Sequence, residues 1–316
     1  MSRGLLALVR VSPERAAALA GAGYALREAA KYASRAEAIA DAADVQIVLS
    51  NGRFGLSGAE MALLPQLKLV CAVGAGYEAI DLAAAKSRGI AVANCPDANA
   101  ISVADSAMML LLASVRHLRE ADQFVRAGGW QDQWRAETPV VHGKRLGILG
   151  MGRIGGRIAR RAARGFDMDI GYHNRHASND TAAGGYRYFD NLVALAQWAD
   201  FLVSAAPGGA ATRHLINADV LDALGPKGHL VNVGRGTVVD TAALIDALKA
   251  RRIAGVALDV VEGEPALPIP LLEFDNVLIT PHCAGRAPES QTAATAALLA
   301  NLNAFFSGKP LLTPVT

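Results

Sequence analysis

Residues 146–162 read LGILGMGRIGGRIARRA. A short apolar run, LGIL, leads into three glycines spaced G-x-G-x-x-G, namely Gly150, Gly152 and Gly155. An arginine-rich helical pattern follows. The glycine spacing alone is weak evidence, but a strand before it and a helix after it make it a dinucleotide-binding turn. Gly150 makes the tight turn, Gly152 lets the backbone approach a pyrophosphate, and Gly155 lets helix and strand pack closely. The pyrophosphate then lies at the helix N-terminus, where free N–H groups and the helix dipole favour an anion. Arg153 and Ile154, inside the same turn, count with the glycines as cofactor contacts.

Working outward, RLGILG, MDIGYHN, FLVSAAP, HLVNVG, AGVALDV and NVLITPH read as six strands separated by helices. That rhythm is the Rossmann pattern, a doubly wound parallel sheet. Upstream, LLALV, DVQIVLS, LKLVCAV and IAVAN read as strands at 5–9, 44–50, 67–73 and 90–94, with helical patterns between them. They predict a second parallel α/β sheet. Between the two lies ISVADSAMMLLLASVRHLREADQFVRAG, with Asn99 as its N-cap and Gly128-Gly129 at its end. The pattern predicts one helix of roughly 28 residues, about 40 Å long, bridging the two domains. A last helix over 288–307 is expected to return to the first domain. The expected domains are therefore 1–98 plus 288–316, binding substrate, and 99–287, binding the dinucleotide.

Composition narrows the class. Hydrophobic residues make up 52% of the chain and charged ones 19%, and the net charge is +2. Such a chain forms cores and has no basic field to attract nucleic acid or an anionic membrane. Neither partner is expected. Cys71, Cys95 and Cys283 have no CxxC spacing, which argues against a disulfide framework and against a metal site. A reducing, cytoplasmic location is expected. The apolar runs, such as AMMLLLASV, are far short of a membrane span.

The segment MDIGYHNRHAS, 168–178, carries the choice of dinucleotide. An acid is expected about 20 residues past the glycines, against the ribose hydroxyls of NAD. This chain instead has His173, Asn174, Arg175 and His176. The planar fork of an arginine matches a phosphate. Arg175 with Asn174 therefore predicts a preference for NADP(H), with NAD(H) as the alternative if Arg175 is only a solvated surface residue.

Three further pieces follow predicted strands. In LVNVGRGTVVD, Arg235 stands between Gly234 and Gly236. In ALDVVEGEP, Asp259 ends a strand, and Glu262 and Glu264 follow. In LITPHCAGRAPE, His282 comes directly after Pro281. Open α/β sheets bind ligands at the C-terminal ends of strands. Hydride transfer to a ketone needs a proton donor and a cation that holds the substrate carboxylate. A loop histidine is usually a surface residue, but one at a strand end with Glu and Arg nearby suits the donor role. The assignment is His282 as general acid/base, Glu264 as its orienting partner and Arg235 as the substrate clamp.

With LGILGMGRIG, LVNVGRG, ALDVVEGEP and TPH in this order and spacing, the chain resembles the D-isomer-specific 2-hydroxyacid dehydrogenase family over nearly its whole length. The resemblance implies a flavodoxin-like substrate domain beside the Rossmann domain. It also implies a homodimer formed largely through the cofactor domains. In the family the catalytic Glu directly precedes Pro, which selects Glu264 and leaves Glu262 solvated. The resemblance puts the substrate carboxylate on backbone amides of Ala75 and Gly76 in VGAGYEAID. It sets Asp259 against the nicotinamide carboxamide and lines the cofactor with Ala206, Pro207, Thr212, Val233 and Gly234. Trp130 or Trp134, in WQDQWR, is expected to reach the partner subunit's site. Where many members read PHxGS, this chain reads PHCAGR. Ala284 and Gly285 still allow a small-residue turn against the nicotinamide. Arg286 is expected at the mouth, and Asn51 and Arg53 in SNGRFGLSG on the other wall.

These features resemble the glyoxylate/hydroxypyruvate reductase branch: an enzyme reducing a small 2-keto acid to the D-2-hydroxy acid. Three other readings stand beside it. Reduction of bulkier acids such as phenylpyruvate keeps the same machinery. A non-catalytic dinucleotide sensor is disfavoured because Arg235, Glu264 and His282 are all present. Formate or phosphite oxidation ranks low, since the formate branch carries glutamine where Glu264 stands.

Overall fold

The structure, a computed structural model, describes residues 3–177 and 185–315. Two compact units emerge, one formed by 1–99 with 286–316 and the other by 100–285. Each is a parallel α/β unit.

The first unit holds β1 (Arg3–Ala7), β2 (Tyr24–Glu28), β3 (Ile47–Ser50), β4 (Leu69–Ala72) and β5 (Ala91–Ala93). They form one parallel sheet in the order β2-β1-β3-β4-β5. This is the flavodoxin-like order, which reverses between β1 and β3. β3 and β4 are buried along their whole length, so they read as continuous apolar runs. β2 was not among the expected strands. Its YALRE sequence is half-exposed at the sheet edge and lacks the apolar run that marks a central strand.

The second unit holds β6 (Arg145–Leu149), β7 (Asp169–His173), β8 (Arg187–Tyr188), β9 (Phe201–Ser204), β10 (His229–Asn232), β11 (Gly255–Leu258) and β12 (Val277–Ile279). The order is β12-β11-β10-β9-β6-β7-β8, all parallel. Among the described residues that makes seven strands where six were expected. The extra one, β8, is a two-residue edge strand too short to leave a periodic signal. The strand order reverses between β6 and β9, the kind of switch point at which open parallel sheets bind ligands.

The expected long helix is two helices. α5 (Ala100–Val115) and α6 (Leu118–Arg126) are bent by 62° at His117, whose φ of 49° is left-handed. No glycine or proline marks the break. Long-range bonds hold it: Ser114 Oγ meets buried His229 Nδ1 at 2.9 Å, and Arg119 donates to the carbonyls of Phe274 and Asp275. Asn99 does not cap α5, because its Oδ1 is buried without a hydrogen-bond partner among the described residues. No single helix among the described residues is long and apolar enough to cross a membrane. The last helix, α11 (Pro288–Phe306), belongs to the first unit, where Arg15 of α1 (Pro13–Gly21) donates to Thr295 and Gln291.

Candidate functional site

Because every strand of the second sheet is parallel, the segments after β6, β7, β9, β10, β11 and β12 all leave the same edge. The topology thereby gathers residues scattered from 150 to 284.

At β6 the three glycines take different duties. Gly150 has φ 96°, and a Cβ there would lie 2.9 Å from Ala205 C and Ala206 N. A Cβ on Gly155 would lie 2.1 Å from the Gly150 carbonyl oxygen, so only glycine lets α7 (Arg153–Phe166) pack on the turn. A Cβ on Gly152 meets nothing within 4 Å. The position opens on space at the start of α7, and no side chain among the described residues caps that helix. This shape fits a pyrophosphate. Ile154 is half-buried against the core and Arg153 is exposed.

At the end of β7, Asn174 has a duty the sequence did not suggest. Its Oδ1 accepts from the Met151 N–H at 2.8 Å and so ties the strand end to the glycine turn. His173 turns inward, Nδ1 lying 2.8 Å from the Phe189 carbonyl. Arg175 and His176 are exposed. No acid occupies 172–176.

After β9, Ala206 is buried and Pro207 exposed, and Thr212 Oγ1 donates to the Pro207 carbonyl at 2.8 Å. After β10, Val233 is buried. A Cβ on Gly234 would lie 2.4 Å from the Ala206 carbonyl oxygen. Asn232, fully buried and not singled out beforehand, shapes this turn: Oδ1 accepts from Gly234 N–H and Nδ2 donates to the Arg235 carbonyl. A polar residue ending an apolar strand was the available signal. Arg235 is half-buried. Its Nη1 donates to the Gly234 carbonyl at 2.8 Å, and its Cγ lies 3.0 Å from where a Cβ on Gly208 would be.

After β11 and β12 the arrangement is tightest. Asp259 is 3% exposed. Its Oδ1 accepts from Thr280 Oγ1 at 2.6 Å and from the Cys283 N–H at 2.9 Å, and its Oδ2 accepts from the Ala284 N–H at 3.0 Å. The residue read as a carboxamide contact thus organises the turn that carries His282. Within that turn His282 has φ 50°, and its N–H donates to the carbonyls of Asp259 and Thr280. Its ring points outward, with Nδ1 2.7 Å from Glu264 Oε1. The side chains of the pair are 46% and 29% exposed. Ala284 is buried, its carbonyl accepting from Ser102 and Ser106.

Glu262 is not solvated, contrary to the expectation. Its Oε1 lies 2.8 Å from His214 Nε2 and 2.9 Å from Arg213 Nη2. Burial alone would raise its carboxyl, but the His214 hydrogen bond and the charges of His214 and Arg213 outweigh that and lower it.

The remaining residues belong to the first unit. Ala75 and Gly76 follow β4, and Asn51 and Arg53 follow β3. These two loops pack on each other, since a Cβ on Gly52 would lie 2.9 Å from Gly76 C. Asn51 closes its own turn, Oδ1 accepting from Arg53 and Phe54 N–H. The Arg53 guanidinium lies 5.7 Å from the Phe54 ring, and Arg286 is exposed.

Residues 108–284, more than half the chain, match the family model described as D-isomer specific 2-hydroxyacid dehydrogenase, NAD binding domain. Over 271 residues the chain is 42% identical to glyoxylate/hydroxypyruvate reductase A of Arabidopsis thaliana, covering 86% of this chain and 85% of the relative. Over 274 residues it is 40% identical to hydroxyphenylpyruvate reductase of Plectranthus scutellarioides, covering 87% and 86%. A crystal structure of an NADPH-dependent glyoxylate/hydroxypyruvate reductase from Sinorhizobium meliloti, in complex with NADP and malonate, is similar with TM-score 0.88 at 37% identity. It covers 100% of this chain and 97% of that one.

Proposed function

The chain belongs to the D-isomer-specific 2-hydroxyacid dehydrogenase family, and from that premise we propose that it reduces a small 2-keto acid, glyoxylate or hydroxypyruvate, to the D-2-hydroxy acid with NADPH. The observation that carries the reading is the 2.7 Å contact of His282 Nδ1 with Glu264 Oε1, on a turn held by Asp259 and at the same sheet edge as Arg235.

A dinucleotide held with its pyrophosphate on the glycine turn at Gly150 and Gly152 would supply the hydride. Glu264 holds His282 Nδ1, so the proton for the carbonyl oxygen leaves from Nε2. Arg235, with its stem over Gly208, clamps the substrate carboxylate and polarises the carbonyl. Arg175 supports the NADPH preference because it is exposed beside the glycine turn where no acid would repel a 2′-phosphate.

A second reading, reduction of aromatic 2-keto acids, is favoured by one observation. The Phe54 and Tyr77 side chains, in the same two loops as Asn51 and Ala75, are 48% and 36% exposed. The chain acts as a homodimer in this proposal, joined through the apolar surface that Val125 and Trp130 leave exposed by 49% and 69%. With Phe124 and Trp134 they line a cavity of ≈ 400 Å³. The deciding assay follows NADPH and NADH oxidation separately with glyoxylate, hydroxypyruvate and phenylpyruvate. Turnover with NADPH and the small acids is expected. Turnover with phenylpyruvate alone would support the second reading, and turnover only with NADH would refute the role of Arg175.

A further inference from the structure

Glu262 sits two residues before Glu264, with Gly263 at φ 80° between them. Its side chain is 22% exposed and reaches across to the loop after β9, where His214 and Arg213 both meet Oε1. His214 has a left-handed φ of 52°. The other ring nitrogen, Nδ1, lies 3.7 Å from Asp240 Oδ2, so one imidazole stands between two carboxylates. Its backbone N–H donates to the Thr237 carbonyl at 2.8 Å, which binds the same loop to the segment after Arg235. That segment presses on Glu262 directly: a Cβ on Gly236 would lie 2.0 Å from Val261 C and 2.4 Å from Glu262 N. Three loops, carrying Thr212, Arg235 and Glu264, therefore converge on one carboxylate.

We propose that Glu262 is a positioning residue for the reaction: held by His214 and Arg213, it sets the loop of Glu264 against the loop of Arg235. The inference rests on the roles given above to Arg235, Glu264 and His282. Glu262 touches none of the reacting atoms and acts through the residues beside it. A solvated ion pair would contribute little, because exposed pairs are screened and lose side-chain entropy on forming. This pair differs because two donors share one oxygen on a side chain mostly withdrawn from water. Its loops also bear groups whose misplacement by about 1 Å costs up to ~10²-fold in rate.

The test compares E262A, H214A, E262Q and the double variant E262A/H214A in the full chain. Glyoxylate or hydroxypyruvate is reduced at saturating NADPH, and NADPH affinity and thermal unfolding are followed in parallel. E262A and H214A are each expected to lose about ten-fold in kcat. NADPH affinity should stay within about two-fold, since Glu262 lies away from the glycine turn. E262Q keeps an acceptor oxygen for both donors and should recover most of kcat. The double variant should fall no further than either single one, the signature of one shared interaction. The inference is overturned if folded E262A keeps kcat within two-fold of the parent, or if its only change is a lower melting temperature. Should E262A fail to fold, H214A with unchanged kcat overturns it equally. A parent protein that binds NADPH but reduces none of the keto acids overturns the functional reading and this inference together. An active parent with an indifferent E262A overturns this inference alone.

Discussion

Acidification should destabilise the second unit through His229. This imidazole is 2% exposed, lies on β10, donates to or accepts from Ser114 Oγ at 2.9 Å and stacks edge-on to Phe201. A Cβ on Gly255 would come within 2.9 Å of its Nδ1, so glycine at 255 is what leaves the ring its space. Burial, assisted by repulsion from His117, pushes its pKa from the ordinary 6.5 down to about 4. The native state therefore holds the neutral ring while the unfolded chain takes up a proton below pH 6.5. The contribution is complete above pH 6.5 and is lost as pH falls toward 4. Below that both states are protonated and no further loss occurs. At about 1.4 kcal/mol per pH unit, the whole window is worth about 3 kcal/mol. The comparison is urea unfolding of the parent and of His229→Gln at pH 7.5, 6.5, 5.5 and 4.5. All three tryptophans, Trp130, Trp134 and Trp198, belong to this unit, so their fluorescence reports on it. The variant should start less stable at pH 7.5, and the gap should narrow steadily on acidification. Parallel stability curves down to pH 4.5 would refute the reasoning.

Four further outcomes are expected. Arg175→Ala should raise the Kd for NADPH at least about ten-fold, the scale of one lost charge-assisted phosphate contact, and leave NADH nearly unchanged; fluorescence titration with both dinucleotides decides, and equal losses would remove Arg175 from the 2′-phosphate. His282→Ala should lower kcat by about 10²–10⁴-fold with dinucleotide binding intact, and a variant of full activity in the steady-state assay would end its assignment as proton donor. Gly155→Ala should abolish dinucleotide binding, because the added Cβ would lie 2.1 Å from the Gly150 carbonyl oxygen; calorimetric binding equal to the parent's would mean the turn adapts. Trp130→Asp should shift the protein to a monomer in sedimentation, whereas an unchanged mass would place the subunit contact elsewhere.

Much of the candidate site was legible because its demands are local. The glycine turn needs a positive φ at Gly150 and bare backbone at Gly155, and both needs are met within six residues of chain. Arg235, Glu264 and His282 each follow an apolar strand by three to six residues, and strand ends in a parallel sheet share an edge. Glu262 was misread for the opposite reason. Its partner His214 lies 48 residues away, and a glutamate in a loop looks solvated until that loop's neighbour is known. Asn174 was grouped with Arg175 as a cofactor contact, yet its oxygen holds Met151, a bond across 23 residues. Asn232 and the turn-holding use of Asp259 went unseen because they depend on which strand lies beside which.

By itself the sequence determined the class of the two sheets and the glycine turn after β6, and it put Arg235, Glu264 and His282 just past strand ends. Periodicity, glycine spacing and strand-end position are properties of short segments, set by backbone sterics and the side-chain repeat. Only the tertiary structure decided the break at His117, the edge strands β2 and β8, and the carboxylate partners of the site. Each of these depends on contacts between segments far apart in the chain. Ser114 with His229, Arg213 and His214 with Glu262, and Asp259 with the 280–284 turn have energies that exist only once the sheet order has brought them within hydrogen-bond reach.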